Sequence, residues 1–128
     1  MEPHFFINNF TTFKFNIPVV LVLALLFIHF VMDFMCQADA WAKGKSSDNW
    51  ILTLHVSVYI LPFLLFFGWK YAVFNFSAHW ITDYFSSRAS KKLFAKGDVH
   101  NGFVVIGADQ LIHYTCLLVS IPLMAVSP

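Results

Sequence analysis

Seven ionisable residues stand within, or at the ends of, stretches otherwise apolar enough to cross a membrane: His29, Asp33, His55, His79, Asp83, Asp109 and His113. Six form three pairs, His29/Asp33, His79/Asp83 and Asp109/His113, each with three residues between. A four-residue step puts both members of a pair on one helix face. Imidazole nitrogen and carboxylate oxygen are ligands for zinc, and equally for manganese or iron. A charge in hydrocarbon is costly unless it is paired, neutralised or bound to metal. Repeating that cost in three segments points to one shared polar site.

Four histidines and three aspartates are too many for one four-coordinate zinc. They suit two ions, or one ion with a general base and supporting partners. A two-ion centre lowers the pKa of a bridging water and clamps both oxygens of a displacement, which fits hydrolysis of a phosphoester or amide. His55 and Asp109 are the candidates for acid–base work, with His55 alternatively a seventh ligand. Two blander readings stand beside this one. A histidine in a membrane helix can hydrogen-bond to a neighbouring helix and fix packing. Carboxylates in a row can also carry a proton or cation.

These residues need helices to bring them together. Ile17 to about Ala38 is expected to form a first span, with Pro18 in its first turn. Trp50 to Trp69 forms a second, with tryptophans at both ends as interfacial anchors and a kink expected at Pro62. After a tight turn at residues 68–75, Tyr71 to Phe85 makes a third, shorter than the ~20 residues of an ordinary span. That shortness suggests protection by neighbours or by a homo-oligomer. Gly102 to Val126 makes the fourth. Residues 39–49 and 86–101 read as polar loops, the second beginning as an interfacial helix. Residues 1–16, aromatic but interrupted by Asn8, Asn9, Thr11 and Thr12, read as an interfacial arm. The expected architecture is all-α: one integral membrane domain over residues 17–126, a four-helix bundle of two helical hairpins compatible with a pseudo-two-fold repeat.

Composition agrees with a lipid environment. Of 128 residues, 59% are apolar, 16 are phenylalanine and only 12% are charged, too few for the surface of a soluble domain. The net charge of +1 offers no electrostatic case for nucleic acid. The N-terminus lacks a basic stretch followed by a cleavage site, so the first apolar segment is expected to stay as an anchor. The loops after the first and third spans hold Lys43, Lys45, Arg88, Lys91, Lys92 and Lys96, against Lys14 and Lys70 on the other side. The positive-inside rule therefore places both basic loops in the cytoplasm and both termini outside, as in a bacterial inner membrane. At 1.5 Å rise per residue, all seven ionisable residues then lie at one depth below the cytoplasmic surface. The spacing argument and the charge argument are independent, and they agree.

Weaker signals surround the site. Gln37, four residues beyond Asp33, and Gln110, beside Asp109, can orient a ligand or serve helix packing. Tyr59 lies one turn from His55 and can act as an acid or pack. Arg88, Lys91 and Lys92 can hold a lipid phosphate or anchor the loop. Cys36 and Cys116 show no paired metal spacing and read as small buried hydrophobes, with a soft-ligand role as the alternative. His4 and His100 fall outside the spans; His100 is read as a solvated loop residue.

The set formed by HFVMDFMCQADAWAKGKS, the histidine of ILTLHVSVY, AHWITDYFSSRASKKLF and GDVHNGFVVIGADQLIHY resembles a small integral membrane domain of unknown function from bacteria and their phages. The likeness runs from about Phe27 to Leu117 and implies no activity. A looser similarity, in style of site, is to bacterial inner-membrane metal-dependent hydrolases. The reading that follows is a hydrolase with one or two divalent ions, zinc first, acting on a lipid or lipid-linked ester at the cytoplasmic leaflet. Its rivals are a cation or proton transporter and a non-catalytic phage-type membrane module that captures a host protein.

Overall fold

The computed structural model describes residues 17–125. The expected interfacial arm, residues 1–16, lies outside the described residues. The described chain is all-helical, with five α-helices and no strand among its residues. They are α1 (Val19–Phe30), α2 (Asp39–Gly44), α3 (Asn49–Phe67), α4 (Trp69–Ala95) and α5 (Val99–Val119). A π-helical turn, Val31–Met35, continues α1, and a 3-10 turn, Ile121–Leu123, follows α5. Of these, α3 and α5 are long and apolar enough to cross a membrane, and Val19–Met35 is a shorter apolar helix.

The element boundaries differ from the sequence expectation in instructive ways. α4 is 27 residues long and absorbs both the expected turn and the start of the expected loop. Its extension, Ser86–Ala95, is rich in helix formers and meets no glycine until Gly97. At Gly97 a φ of 78° ends the helix, with the amide of Asp98 donating to Leu93 O at 3.0 Å. The turn between α3 and α4 shrinks to Gly68 alone, whose φ is 91°. A Cβ there would lie 2.7 Å from the Ala125 Cβ, so both conformation and crowding demand glycine. Residues 39–44, expected as loop, form α2, with Asp39 in its first turn and Lys43 in its last, as the helix dipole favours. α3 runs unbroken through Pro62. The Asp48 carboxylate caps it by accepting from the amide of Trp50 at 2.7 Å.

α4 packs against both α3 and α5, while α1 touches α5 and its π turn touches α3. The interior has two halves. One is apolar, built on Leu25, Tyr59, Phe63, Tyr71 and Leu117, each 0–1% exposed. The other is the polar cluster described below. Large apolar side chains also stand on the outside: Val20, Phe27, Leu65, Phe66 and Leu111 are each at least 66% exposed.

Candidate metal centre

All seven residues singled out by spacing converge. His29, Asp33, His55, His79, Asp83, Asp109 and His113 are each no more than 8% exposed. They come from α1 and its π turn, from α3, α4 and α5. The lone histidine, His55, reaches Asp33 with Nε2 3.1 Å from Oδ1. His79 and Asp83 sit one turn apart, with His79 Nε2 3.5 Å from Asp83 Oδ2 and also 3.5 Å from Asp33 Oδ1. His113 places Nε2 3.5 Å from Asp83 Oδ1 and Nδ1 3.4 Å from Asp109 Oδ2. The rings of His79 and His113 stack face to face, 4.0 Å between centroids and 4° from parallel.

Two carboxylates face both ways. Asp33 turns Oδ1 to His55 and His79, and Oδ2 to Gln110. Asp83 turns Oδ2 to His55 and His79, and Oδ1 to His113. Three groups have donor atoms close enough together to hold an ion: Asp33, His55, His79 and Asp83; Asp33, Asp109 and His113; and His29, His79 and His113. Asp33 and His113 each serve two groups, as does His79.

The fit to a metal rests on what these nitrogens lack. Both ring nitrogens of His79 and both of His113 are buried without a hydrogen-bond partner. The 3.5 Å approaches to carboxylates are too long and poorly aimed to satisfy them. Buried polar atoms are ordinarily paired, and leaving one unpaired costs about 1–3 kcal/mol. A cation ligated in the ring plane by His79 or by His113, together with the facing carboxylates, would satisfy one nitrogen of that ring and offset the carboxylate charge.

His29 differs from the other three. Its Nε2 donates to Gln110 Oε1 at 2.8 Å, so its Nδ1 accepts from the Tyr59 hydroxyl at 2.9 Å. Both nitrogens are engaged although the residue belongs to one potential ligand group. Gln110 in turn donates to Asp33 Oδ2 at 3.1 Å and to Asp109 Oδ2 at 3.0 Å. Ser86 donates to Asp109 Oδ1. Tyr59 and Gln110, weak signals in the sequence, are thus the fixed points from which His29, Asp33 and Asp109 are aimed.

The π turn was not legible in the sequence. Its i→i+5 bond, Cys36 N to Val31 O at 2.8 Å, encloses Asp33, whose carboxylate lies 3.7 Å from His29 and 3.1 Å from His55. Gln37 no longer follows Asp33 on one helical face. Its Oε1 is buried and unpartnered at the wall of a cavity beside the cluster. Cys36 is exposed and Cys116 half-buried, and neither is disulfide-bonded. The expectation of two buried cysteines is therefore corrected for Cys36, because the chain leaves the helix there.

Lys45 is the residue that sequence reasoning missed. It was legible only as one of the basic loop residues. In the structure it enters the cluster, its Nζ 2.7 Å from Asp83 Oδ2 and its side chain only 16% exposed. Burial works against its charge, but Asp83, Asp33 and Asp109 outweigh it and hold its pKa above the ordinary lysine value. The two basic segments also meet: Arg88 donates to Asn49 Oδ1 at 2.6 Å and Lys91 to Ser47 Oγ.

Fold and site together define an all-helical protein with a buried His/Asp cluster of the kind that can hold a metal ion. The chain belongs to the family described as Protein of unknown function (DUF3307), whose family model matches residues 21–127, a span that includes every residue of the cluster. No curated protein and no solved structure matches it.

Proposed function

We propose that this is an integral membrane four-helix bundle whose cluster binds one or two divalent ions, zinc first, and hydrolyses a lipid or lipid-linked ester at the cytoplasmic leaflet. The observation that carries the reading is the set of four unpartnered ring nitrogens on His79 and His113, whose Nε2 atoms face Asp33 and Asp83. One ion would be held by Asp33, His55, His79 and Asp83. A second would be held by Asp33, Asp109 and His113. Metal here supplies Lewis acidity and a water acidified to near neutral pH.

The chain's own residues do the rest. His55 is committed to Asp33 and acts as a ligand. Asp109 lies at the cavity wall, held by Ser86 and Gln110, and with a single ion on Asp33, His55, His79 and Asp83 it would take the proton of the attacking water. It returns that proton to the departing alcohol as the ester bond breaks and the new bond to water oxygen forms. His29, bonded on both nitrogens, positions Gln110 and thereby both carboxylates. Membrane insertion is supported by the exposed apolar exterior around a polar interior. Cytoplasmic placement of both basic segments is supported by their contact at one end of the molecule. A transport role needs a polar path through both leaflets, but the far half is filled by Leu25, Phe63, Tyr71 and Leu117.

The test is elemental analysis of detergent-purified protein with a parallel assay on phospholipid esters. Wild type should hold one or two tightly bound ions per chain. Asp33→Asn and Asp83→Asn should each remove them and abolish turnover. Unchanged metal content in both variants rejects the assignment.

A further inference from the structure

A cavity of about 750 Å³ opens directly onto Asp33, Asp83 and Asp109 on the side of the basic loops. Its composition is unlike the rest of the molecule. Lys43, Lys45 and Lys91 reach it from two separate segments, and Ser86, Ser87 and Ser90 line it from α4. Two of its polar atoms, Gln37 Oε1 and Ser87 Oγ, are buried and without partners. Phe34, Phe94 and Ile106 supply an apolar wall. Phe34 and Phe94 are 48% and 37% exposed, so that wall continues to the outer apolar surface.

Charge decides what can enter. Without metal, the three lysines are outnumbered by Asp33, Asp39, Asp83 and Asp109, and the cavity repels anions. One divalent ion reverses the local sign and a second makes it strongly positive. Lys45 stands at the junction. It occupies Asp83 Oδ2, the oxygen that also faces His55 and His79. A cation held by those residues competes with the Lys45 ammonium for that oxygen and releases it toward the cavity.

We infer that the cavity is the receptor for a phosphate monoester on an amphiphile, bound by Lys43, Lys45 and Lys91 with the unpartnered Ser87 hydroxyl of α4, and competent only when the neighbouring centre holds metal. This rests on the metal reading above and names the substrate class that reading leaves open. Hydroxyl and ammonium donors on several sides suit the three terminal oxygens of a phosphate. The apolar wall suits an attached chain. Because metal and phosphate share Lys45 and Asp83, each must tighten the other by the same factor.

The test is titration calorimetry on the full chain in phosphatidylcholine nanodiscs, zinc-loaded and metal-free, with inorganic phosphate as the probe. Phosphate should bind the zinc-loaded protein at least about tenfold more tightly than the metal-free one, a single charge-assisted contact being worth about that factor. Lys45→Met and Lys91→Met should each weaken phosphate about tenfold, and in Lys91→Met, which touches no residue of the metal centre, zinc content should stay at the wild-type value, which also reports correct folding. Phosphatidic acid added to the nanodiscs should displace the phosphate, making the source a lipid headgroup. Phosphate binding without that displacement assigns a soluble phosphate ester instead and overturns the amphiphile. Equal phosphate affinity with and without zinc, or in both lysine variants, overturns the inference while the metal centre stands. A chain that binds no metal overturns both.

Discussion

The two halves of the interior are equally dry and differently finished. In the apolar half the few polar groups are all paired. The Tyr71 hydroxyl donates to Leu117 O at 2.9 Å, and Asn75 Nδ2 donates to Ser120 Oγ at 2.8 Å. Ser120 in turn donates to Cys116 O at 2.7 Å. In the polar half, less than a helix length away, His79 and His113 bury four ring nitrogens with no partner. The same helices, α4 and α5, supply both halves. A chain that satisfies its polar atoms so fully at one end does not leave them open at the other through poor packing. The first half is complete as it stands, and the second leaves donor atoms open to a ligand such as a metal ion.

That contrast breaks most visibly on metal removal. Chelation should destabilise the protein by about 4 kcal/mol when the free ion had been a thousandfold above its dissociation constant. Denaturant unfolding followed by circular dichroism, before and after dialysis against chelator, measures it. An unchanged midpoint would make the two halves equivalent and the contrast empty.

His113→Leu sharpens the comparison through opposite signs. It removes two unpaired buried nitrogens, so the metal-free protein should unfold at equal or higher denaturant, by up to about 1–3 kcal/mol. The stabilisation conferred by added zinc should meanwhile collapse. Equal destabilisation with and without metal would mean that the imidazole serves packing alone.

The apolar half should show the converse. Tyr71→Phe deletes one satisfied hydrogen bond and should cost about 0.6–1 kcal/mol, with metal content untouched. Loss of metal in that variant would show the halves to be coupled. The smallest effect belongs to Cys36→Ser at the exposed end of the π turn. Stability should stay within about 0.5 kcal/mol and the zinc stoichiometry should not change. A fall in stoichiometry would restore the soft-ligand role to that cysteine.

Several features could be read directly from residue order. His79/Asp83 and Asp109/His113 lie in regular helix, and there the four-residue spacing translated into neighbouring side chains without distortion. His55 was legible as a polar residue in an apolar helix, although its partner was not, because Asp33 lies 22 residues away on another element. The helical class followed from long apolar runs without strand alternation. The ends of the helices did not follow, since a lipid-facing turn and a solvated one share the same Ser, Lys and Ala vocabulary. The helix expected to open the segment after Phe85 proved to be a continuation of α4, running ten residues further to Ala95.

Residue types and their local period determined which groups would be expensive to bury and which helix face would carry them. That is a short-range matter, settled within a turn of helix. Only the tertiary structure decided that Lys45 reaches Asp83, that Gln110 joins His29 to two carboxylates, and that the rings of His79 and His113 lie parallel with nothing to bond. Those facts depend on how four helices cross and on one π turn. Crossing angles come from the packing of whole surfaces, which no local spacing encodes.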